Sequence, residues 1–120
     1  MKRQYFLETE RVCFSTWDEN DLPLAVLLWG NPEVTRYISA DGIFKSTDIE
    51  KRLALEISNM KEYGVSYWPV FEKSTGEFVG CCGLRPKNGK TYELGFHLRP
   101  EFWGKGIAFE MASEVIRYAI

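Results

Sequence analysis

Three apolar runs divided by two glycine-containing turns occupy the second half of the sequence, and this pattern limits the possible folds most strongly. The runs are residues 66–73, 78–84 and 91–98. Each is rich in aromatic or β-branched side chains, as strands are, and the intervening segments 74–76 and 87–89 end in glycine, as hairpin turns often do. The pattern predicts an antiparallel meander. Pro69 cannot donate a ladder hydrogen bond, so we expect an edge position or a bulge there.

The apolar spacing upstream of these runs predicts one strand and two helices. Residues 11–17 are typical of a strand, and Asp18 is a suitable N-cap for a helix that ends at Gly30. Residues 33–43 fit either a loop or a short helix. Thr47 and Glu50 form a capping-box pattern before a second helix, which we expect to stop at Gly64.

A third helix is predicted over residues 104–120, where proline is absent and apolar residues recur at helical spacing. The residues expected to face the sheet are Ile107, Met111, Val115, Ile116 and Ala119. The resulting order is strand, two helices, three antiparallel strands and a helix. We therefore expect an α/β (α+β) fold that forms one domain over residues 1–120.

Composition narrows the classes of function. The chain has 120 residues, 45% of them hydrophobic and 27% charged, which is typical of a soluble globular domain. A net charge of −2 gives no general attraction to nucleic acid or to an anionic membrane. Neither a long apolar span nor a signal core is visible, so we expect a cytoplasmic protein. Three cysteines, two of them adjacent, suit neither disulfides nor a metal site, and we expect buried, reduced thiols and no metal.

The junction between the last predicted strand and the last helix carries the clearest chemical signal. It contains Gly104 and Gly106, which lack Cβ atoms, directly before the helix. The first amides of a helix have no internal acceptor and lie at the positive end of the helix dipole, so they attract anions. Two glycines can also simply relieve a tight turn. The spacing fits neither the Walker pattern nor the dinucleotide pattern.

Residues 92–108 resemble the acetyl-CoA signature of GNAT N-acetyltransferases. The family pattern is Gln or Arg, two variable residues, Gly, one variable residue, then Gly or Ala, and Gly106 and Ala108 match its two small positions. Trp103 stands where Gln or Arg is commonest. This departure is shared by the subgroup that acetylates ribosomal-protein N-termini, spermidine or small amines. Segments 8–12, 31–37 and 80–84 also resemble that subgroup, so the likeness covers nearly the whole chain.

The resemblance implies a cofactor, acetyl-CoA, and a set of residues that bind it. Backbone groups of Phe96, His97 and Leu98 would contact the pantetheine arm, and the segment that follows would cradle the pyrophosphate. That segment comprises Trp103, Gly104, Lys105, Gly106, Ile107 and Ala108. Lys105 either adds positive charge or is an ordinary solvated lysine.

Acetyl transfer to an amine requires a neutral nitrogen and a proton for the departing thiolate. Glu93 and His97 are the catalytic candidates, because residues four apart on a strand share a face. Glu93 resembles the strand carboxylate that the family uses as a general base, although it could be a surface carboxylate. His97 has a suitable intrinsic pKa, although a single histidine on a strand is often only polar surface. Tyr37 is a possible acceptor-site residue.

The family fold continues beyond the last helix with further strands that this sequence does not contain. A truncated chain, a natural fragment and completion by a second copy are all compatible with that difference. We expect a homodimer or domain swap, because the unfinished sheet edge and helix face both favour partners. The acceptor is expected to be a small-molecule amine or a protein N-terminus. The alternatives to an enzyme are a non-catalytic CoA-binding module and a structural fragment.

Overall fold

The computed structural model describes residues 3–36 and 44–120 and shows five strands and four α-helices in that part of the chain. Two short strands come first, β1 (Leu7–Glu8) and β2 (Val12–Phe14). Three helices follow: α1 (Leu22–Trp29), α2 (Pro32–Thr35) and α3 (Ser46–Tyr63). The remaining elements are β3 (Tyr67–Glu72), β4 (Phe78–Lys87), β5 (Thr91–Leu98) and α4 (Ile107–Ala119). Tyr37 lies outside the described residues.

The strands form one antiparallel sheet in the order β1-β2-β3-β4-β5. The predicted meander is therefore confirmed, and both of its turns contain glycines with positive φ, 77° at Gly76 and 69° at Gly89. The pairing of β3 with β4 shifts register between Val70 and Phe71, one residue after Pro69. The sequence suggested an edge or a bulge at this proline, and the structure has the bulge.

Side chains alternate between two apolar layers, one on each face of the sheet. One layer packs α1 and α3 against the sheet through residues such as Leu28, Trp29 and Leu53. The other packs α4 through Ile107, Met111 and Val115. Cys13, Cys81 and Cys82 are free and buried within these layers, as predicted.

The main differences from the expected secondary structure concern the ends of elements. The strand β1 was not predicted, because two residues carry too little pattern. The capping box at Thr47 and Glu50 is wrong: α3 begins at Ser46, and the Asp48 carboxylate accepts the Lys45 N–H at 2.9 Å. Gly64 ends α3 as expected, with φ 75° and its N–H bonded to Met60 O at 3.0 Å.

Two residues expected to face the sheet from the last helix instead face outward. Ile116 is 49% exposed, and Ala119 is also exposed. An α-helix turns about 100° per residue, so Ile116, nine positions after Ile107, lies on the opposite side of α4. The face that packs on the sheet is formed by Ile107, Met111 and Val115, each four positions from the next.

Candidate active site

The segment between β5 and α4 forms a left-handed turn that only glycine adopts easily. Gly104 has φ 74° and Gly106 has φ 78°, both in the region where a Cβ atom causes strain. Residues 104–106 lie outside the helix, because α4 begins at Ile107. A Cβ placed on Gly104 would meet no atom within 4 Å. The turn therefore presents open backbone next to the start of a helix.

The amides of this turn have no acceptors among the described residues. No oxygen in residues 3–36 or 44–120 accepts a hydrogen bond from any N–H between Gly104 and Phe109, and the first helical bond runs from Glu110 N to Gly106 O at 3.1 Å. Unpaired N–H groups at a helix start carry partial positive charge and attract anions. The geometry suits a diphosphate, which offers several acceptor oxygens close together.

A brace from the β1–β2 connection holds the turn in place. Arg11 donates from Nη1 to Lys105 O at 2.8 Å and from Nε to Glu110 Oε1 at 2.6 Å. Glu110 also accepts from Arg11 N at 2.9 Å and from the Thr9 hydroxyl. Burial alone would raise the pKa of Glu110, but these hydrogen bonds outweigh it and the pKa is lowered. The sequence reasoning missed this brace, because its partners are about a hundred positions apart.

A cleft of about 640 Å³ connects this turn with the predicted catalytic residues. Of the ten predicted site residues, nine line it: Glu93, Phe96, His97, Leu98, Trp103, Gly104, Gly106, Ile107 and Ala108. Lys105 does not line it; its ammonium lies 5.7 Å from the centre of the Phe102 ring. The fold thus brings the catalytic and cofactor candidates to one cavity, although whether they act there stays a prediction.

The outer edge of β5 borders the cleft. The Arg99 backbone N–H donates to Val79 O at 2.9 Å. In an antiparallel pair the backbone groups of alternate residues point in opposite directions, so those of Phe96 and Leu98 point away from β4. No strand in the described part of the chain pairs with that edge. The Trp103 indole donates to Leu98 O at 2.9 Å and so already uses one lone pair of that carbonyl. The Phe96 backbone remains for an extended ligand arm.

Glu93 and His97 lie on the same face of β5, with Gly95 between them. A Cβ on Gly95 would come within 2.4 Å of the Tyr67 hydroxyl, so the missing side chain makes room for that phenol. Burial raises the pKa of Tyr67, so the phenol stays protonated. Glu93 is half-exposed, and its carboxylate lies 3.8 Å from Lys87 Nζ. The cleft therefore holds a carboxylate able to accept a proton and a phenol able to donate one.

His97 is held neutral by its surroundings. Burial is the main cause that lowers its pKa to about 3, and the positive charges of Arg52 and Arg85 lower it further. The Trp29 indole donates to His97 Nδ1 at 3.0 Å, which leaves the ring proton on Nε2. A ring with this pKa is a weak base near neutral pH, and the properties of His97 favour hydrogen bonding over proton abstraction.

Two arginines that the sequence reasoning did not single out also line the cleft. Arg52 of α3 and Arg85 of β4 both contact the buried carboxylate of Glu56. Their only sequence signal was the i, i+4 spacing of Arg52 and Glu56. Arg85 is distant in sequence and reaches them only through the sheet.

A family model described as an acetyltransferase (GNAT) domain matches residues 11–120. The chain belongs to the GNAT acetyltransferase family. This agrees with the family resemblance seen in the sequence, and the GNAT fold expected from the sequence is confirmed.

Relatives and solved structures of GNAT proteins resemble the chain over nearly its whole length. The protein YkkB of Bacillus subtilis is 33% identical over 116 residues, which cover 93% of this chain and 66% of YkkB. An acetyltransferase structure from Bacillus anthracis has a TM-score of 0.77 at 22% identity, covering 95% of this chain and 65% of that one. A structure of RimL, a ribosomal L7/L12 alpha-N-protein acetyltransferase in complex with coenzyme A, has a TM-score of 0.76 at 15% identity and covers 96% and 67%. The chain spans about two thirds of the length of these three proteins.

Two further observations concern metal and membrane sites. Among residues 3–36 and 44–120, no three His, Cys, Asp or Glu side chains are grouped as a metal site would require. No helix in the same residues combines the length and the hydropathy needed to cross a bilayer.

Proposed function

We propose that this GNAT chain binds acetyl-CoA at the turn before α4 and transfers the acetyl group directly to a primary amine. The observation that carries the proposal is the row of amides from Gly104 to Phe109, which have no acceptor in residues 3–36 or 44–120. The turn that holds them lines the same cleft as Glu93. Bound acetyl-CoA would supply an acetyl thioester. RimL, whose structure is known with coenzyme A, has a similar fold and supports the choice of cofactor.

The residues of the chain have distinct tasks in this proposal. The turn amides bind the diphosphate, and the Phe96 backbone at the free edge of β5 orients the arm that follows it. Glu93 accepts a proton from the incoming ammonium, directly or through water, because only the neutral amine has a lone pair. The C–N bond then forms as the C–S bond breaks, and the proton that the acylated nitrogen gives up goes to the departing thiolate. Neutral His97, with its proton on Nε2, donates a hydrogen bond inside the cleft. The similarity to RimL is compatible with a protein N-terminus or a small amine as acceptor.

The cofactor site is tested by isothermal titration with coenzyme A using two matched variants. Gly106→Val places a branched side chain beside the turn amides, and we expect it to weaken binding by at least about tenfold, since lost hydrogen bonds to a charged group are each worth about 1.5–3 kcal/mol. Gly76→Val is the control: its φ of 77° matches the 78° of Gly106, and it lies in a hairpin remote from the cleft. Both variants carry similar backbone strain. A Cβ at Gly106 would also lie 3.6 Å from Arg11 Nη2, whereas one at Gly76 would meet no atom within 4 Å, so urea unfolding of both variants accompanies the titration.

The outcomes of the titration are distinct. Equal affinity of coenzyme A for folded Gly106→Val and for the unsubstituted chain would disprove the assigned site. Thiol release from acetyl-CoA in the presence of amines tests transfer itself, and Glu93→Gln should slow it without changing the affinity for coenzyme A. Binding without any thiol release would instead identify the chain as a CoA-binding module.

A further inference from the structure

Arg52 and Arg85 line the cleft, and the one buried carboxylate that both contact in the described residues cannot neutralise two positive charges. Glu56 is 1% exposed and is the only buried carboxylate that either Arg52 or Arg85 contacts in the described residues. It accepts from Arg52 Nε at 2.7 Å and from Arg85 Nη2 at 3.4 Å. The same carboxylate also accepts from Ser66 Oγ at 3.0 Å and from Tyr67 N at 2.9 Å. Its lone pairs are therefore used, while two guanidinium groups share one negative charge.

Each of these arginines keeps a buried nitrogen without an acceptor. Arg52 Nη2 and Arg85 Nε are the only buried side-chain nitrogen or oxygen atoms of the described residues that have no hydrogen-bond partner. Buried donors are almost always paired, because an unpaired one loses its hydrogen bonds to water without replacing them. The Arg52 side chain is only 10% exposed, and both residues line the cleft. An acceptor from a bound ligand would satisfy groups that the protein leaves unsatisfied.

Aromatic rings hold both guanidinium groups in fixed positions. Arg52 lies 5.0 Å from the centre of the Trp29 ring and 5.4 Å from that of Tyr67. Arg85 lies 4.7 Å from the centre of the Tyr67 ring. Stacking on these rings restricts the side chains before a ligand arrives, which lowers the entropy cost of binding. A planar guanidinium in a fixed position is well suited to a planar carboxylate.

We propose that Arg52 and Arg85 bind a carboxylate of the acceptor, so that the substrate is an amine carrying a carboxylate a few atoms from its nitrogen. This inference rests on the proposed acetyl transfer and deepens it. Arg85 pairs directly across the sheet with Glu93. Residues paired in this way have Cβ atoms roughly 4.5–5.5 Å apart on one face, so one small molecule can reach both. The carboxylate binds the arginines while the amine faces Glu93.

The charge of this part of the cleft disfavours polyamines. Its other carboxylates are Glu33 and Glu93, which pair with Arg36 at 3.6 Å and with Lys87 at 3.8 Å. A molecule with several positive charges would place one of them against Arg52 and Arg85. An amine that carries its own carboxylate would instead place a negative charge beside the two arginines.

Carboxylate binding is tested without cofactor by ¹H–¹⁵N NMR of the arginine Nε and tryptophan indole groups. The probes are β-alanine and β-alaninamide, which share an aminoethyl group and differ in the other end, a carboxylate in one and a neutral amide in the other. We expect β-alanine to shift the signals of Arg85 Nε and the Trp29 indole. The dissociation constant of β-alaninamide, followed by the same signals, should be at least about tenfold higher. Arg85→Gln should abolish the β-alanine response of the indole. Arg117→Gln, the same change at a side chain that is 79% exposed on α4, should leave it intact.

A second measurement follows acetylation by thiol release from acetyl-CoA. We expect kcat/KM for β-alanine to exceed that for β-alaninamide and for spermidine by at least about tenfold, and Arg85→Gln to remove this preference without changing the affinity for coenzyme A. Urea unfolding verifies that the variants are folded. Preference for the amide or for spermidine, or tighter binding of O-phosphoethanolamine than of β-alanine, would overturn the carboxylate assignment.

The two proposals fail separately. If the unsubstituted chain does not bind coenzyme A, the transferase proposal is refuted. The NMR titration would still support or refute the carboxylate site. Equal response to β-alanine and β-alaninamide would refute that site even if coenzyme A binds.

Discussion

His97 is the single histidine of the chain, and its neighbours determine how the ring titrates. The ring lines the cleft and accepts a hydrogen bond from the Trp29 indole at Nδ1. Cys81 Sγ lies 3.6 Å from the same nitrogen. The buried position and the two nearby arginines lower its pKa to about 3. The same residue type on an exposed strand would titrate near 6.5. The environment, more than the residue type, therefore sets its chemistry.

The first prediction concerns the pH dependence of stability. The unfolded chain protonates His97 below about pH 6.5, whereas the folded chain stays neutral until about pH 3. The free energy of unfolding should therefore fall as the pH is lowered through this window, by roughly 1–2 kcal/mol between pH 6.5 and 5. Urea unfolding at both values measures it. His97→Gln, which can still accept from Trp29, should remove most of this slope, and an unchanged slope would contradict the assignment.

At the scale of elements, the brace between the β1–β2 connection and α4 positions the glycine turn. Arg11 and Thr9 donate four hydrogen bonds, three to the Glu110 carboxylate and one to Lys105 O. The turn itself has few internal bonds, since its amides have no acceptor in the described part of the chain. The position of the proposed anion site therefore depends on a contact between residues 9–11 and residues 105–110.

We predict that Glu110→Gln destabilises the fold by about 1–3 kcal/mol, because it removes the charge from a carboxylate that accepts three hydrogen bonds. The pKa of Glu110 is lowered in the folded state, so this contribution is present at neutral pH and is lost as the pH falls through that lowered value. Chemical unfolding at pH 7 measures the change. Glu114→Gln is the control, because its 3.6 Å pair with exposed Arg117 should contribute less than about 1 kcal/mol. Equal effects of both substitutions would argue against the brace.

At the scale of the whole molecule, an apolar stripe faces outward along α4. Phe109 is 79% exposed and Ile116 is 49% exposed. Their spacing of seven residues places them on one side of the helix. Together with the free edge of β5, this stripe offers surface to another molecule.

The expected homodimer follows from that surface and is the third prediction. Sedimentation velocity should show reversible association that increases with concentration. Ile116→Lys should weaken it by introducing a charge into the stripe. Val26→Lys on α1 is the matched control, because Val26 is also 49% exposed but does not belong to the stripe. A monomer at every concentration tested would contradict the prediction.

Much of the fold was predictable because local signals were strong and consistent. The hairpin turns at Gly76 and Gly89, the end of α3 at Gly64 and the bulge beside Pro69 each depend on the conformational limits of one or two residues. The glycine turn before α4 was predicted for the same reason. The errors were also local in origin: β1 was too short to give a pattern, and Ile116 was placed on the wrong side of α4.

The sequence by itself determined the order of the longer elements, the family resemblance and the glycine turn, because periodicity, turn residues and short motifs act over a few neighbouring positions. Only the tertiary structure decided the neutrality of His97, the brace from Arg11 to Glu110 and the joining of Arg52 and Arg85 around Glu56. Each of these depends on burial or on contacts between distant positions. Electrostatic effects depend on distance and burial in space, and sequence spacing does not reveal either across a folded sheet.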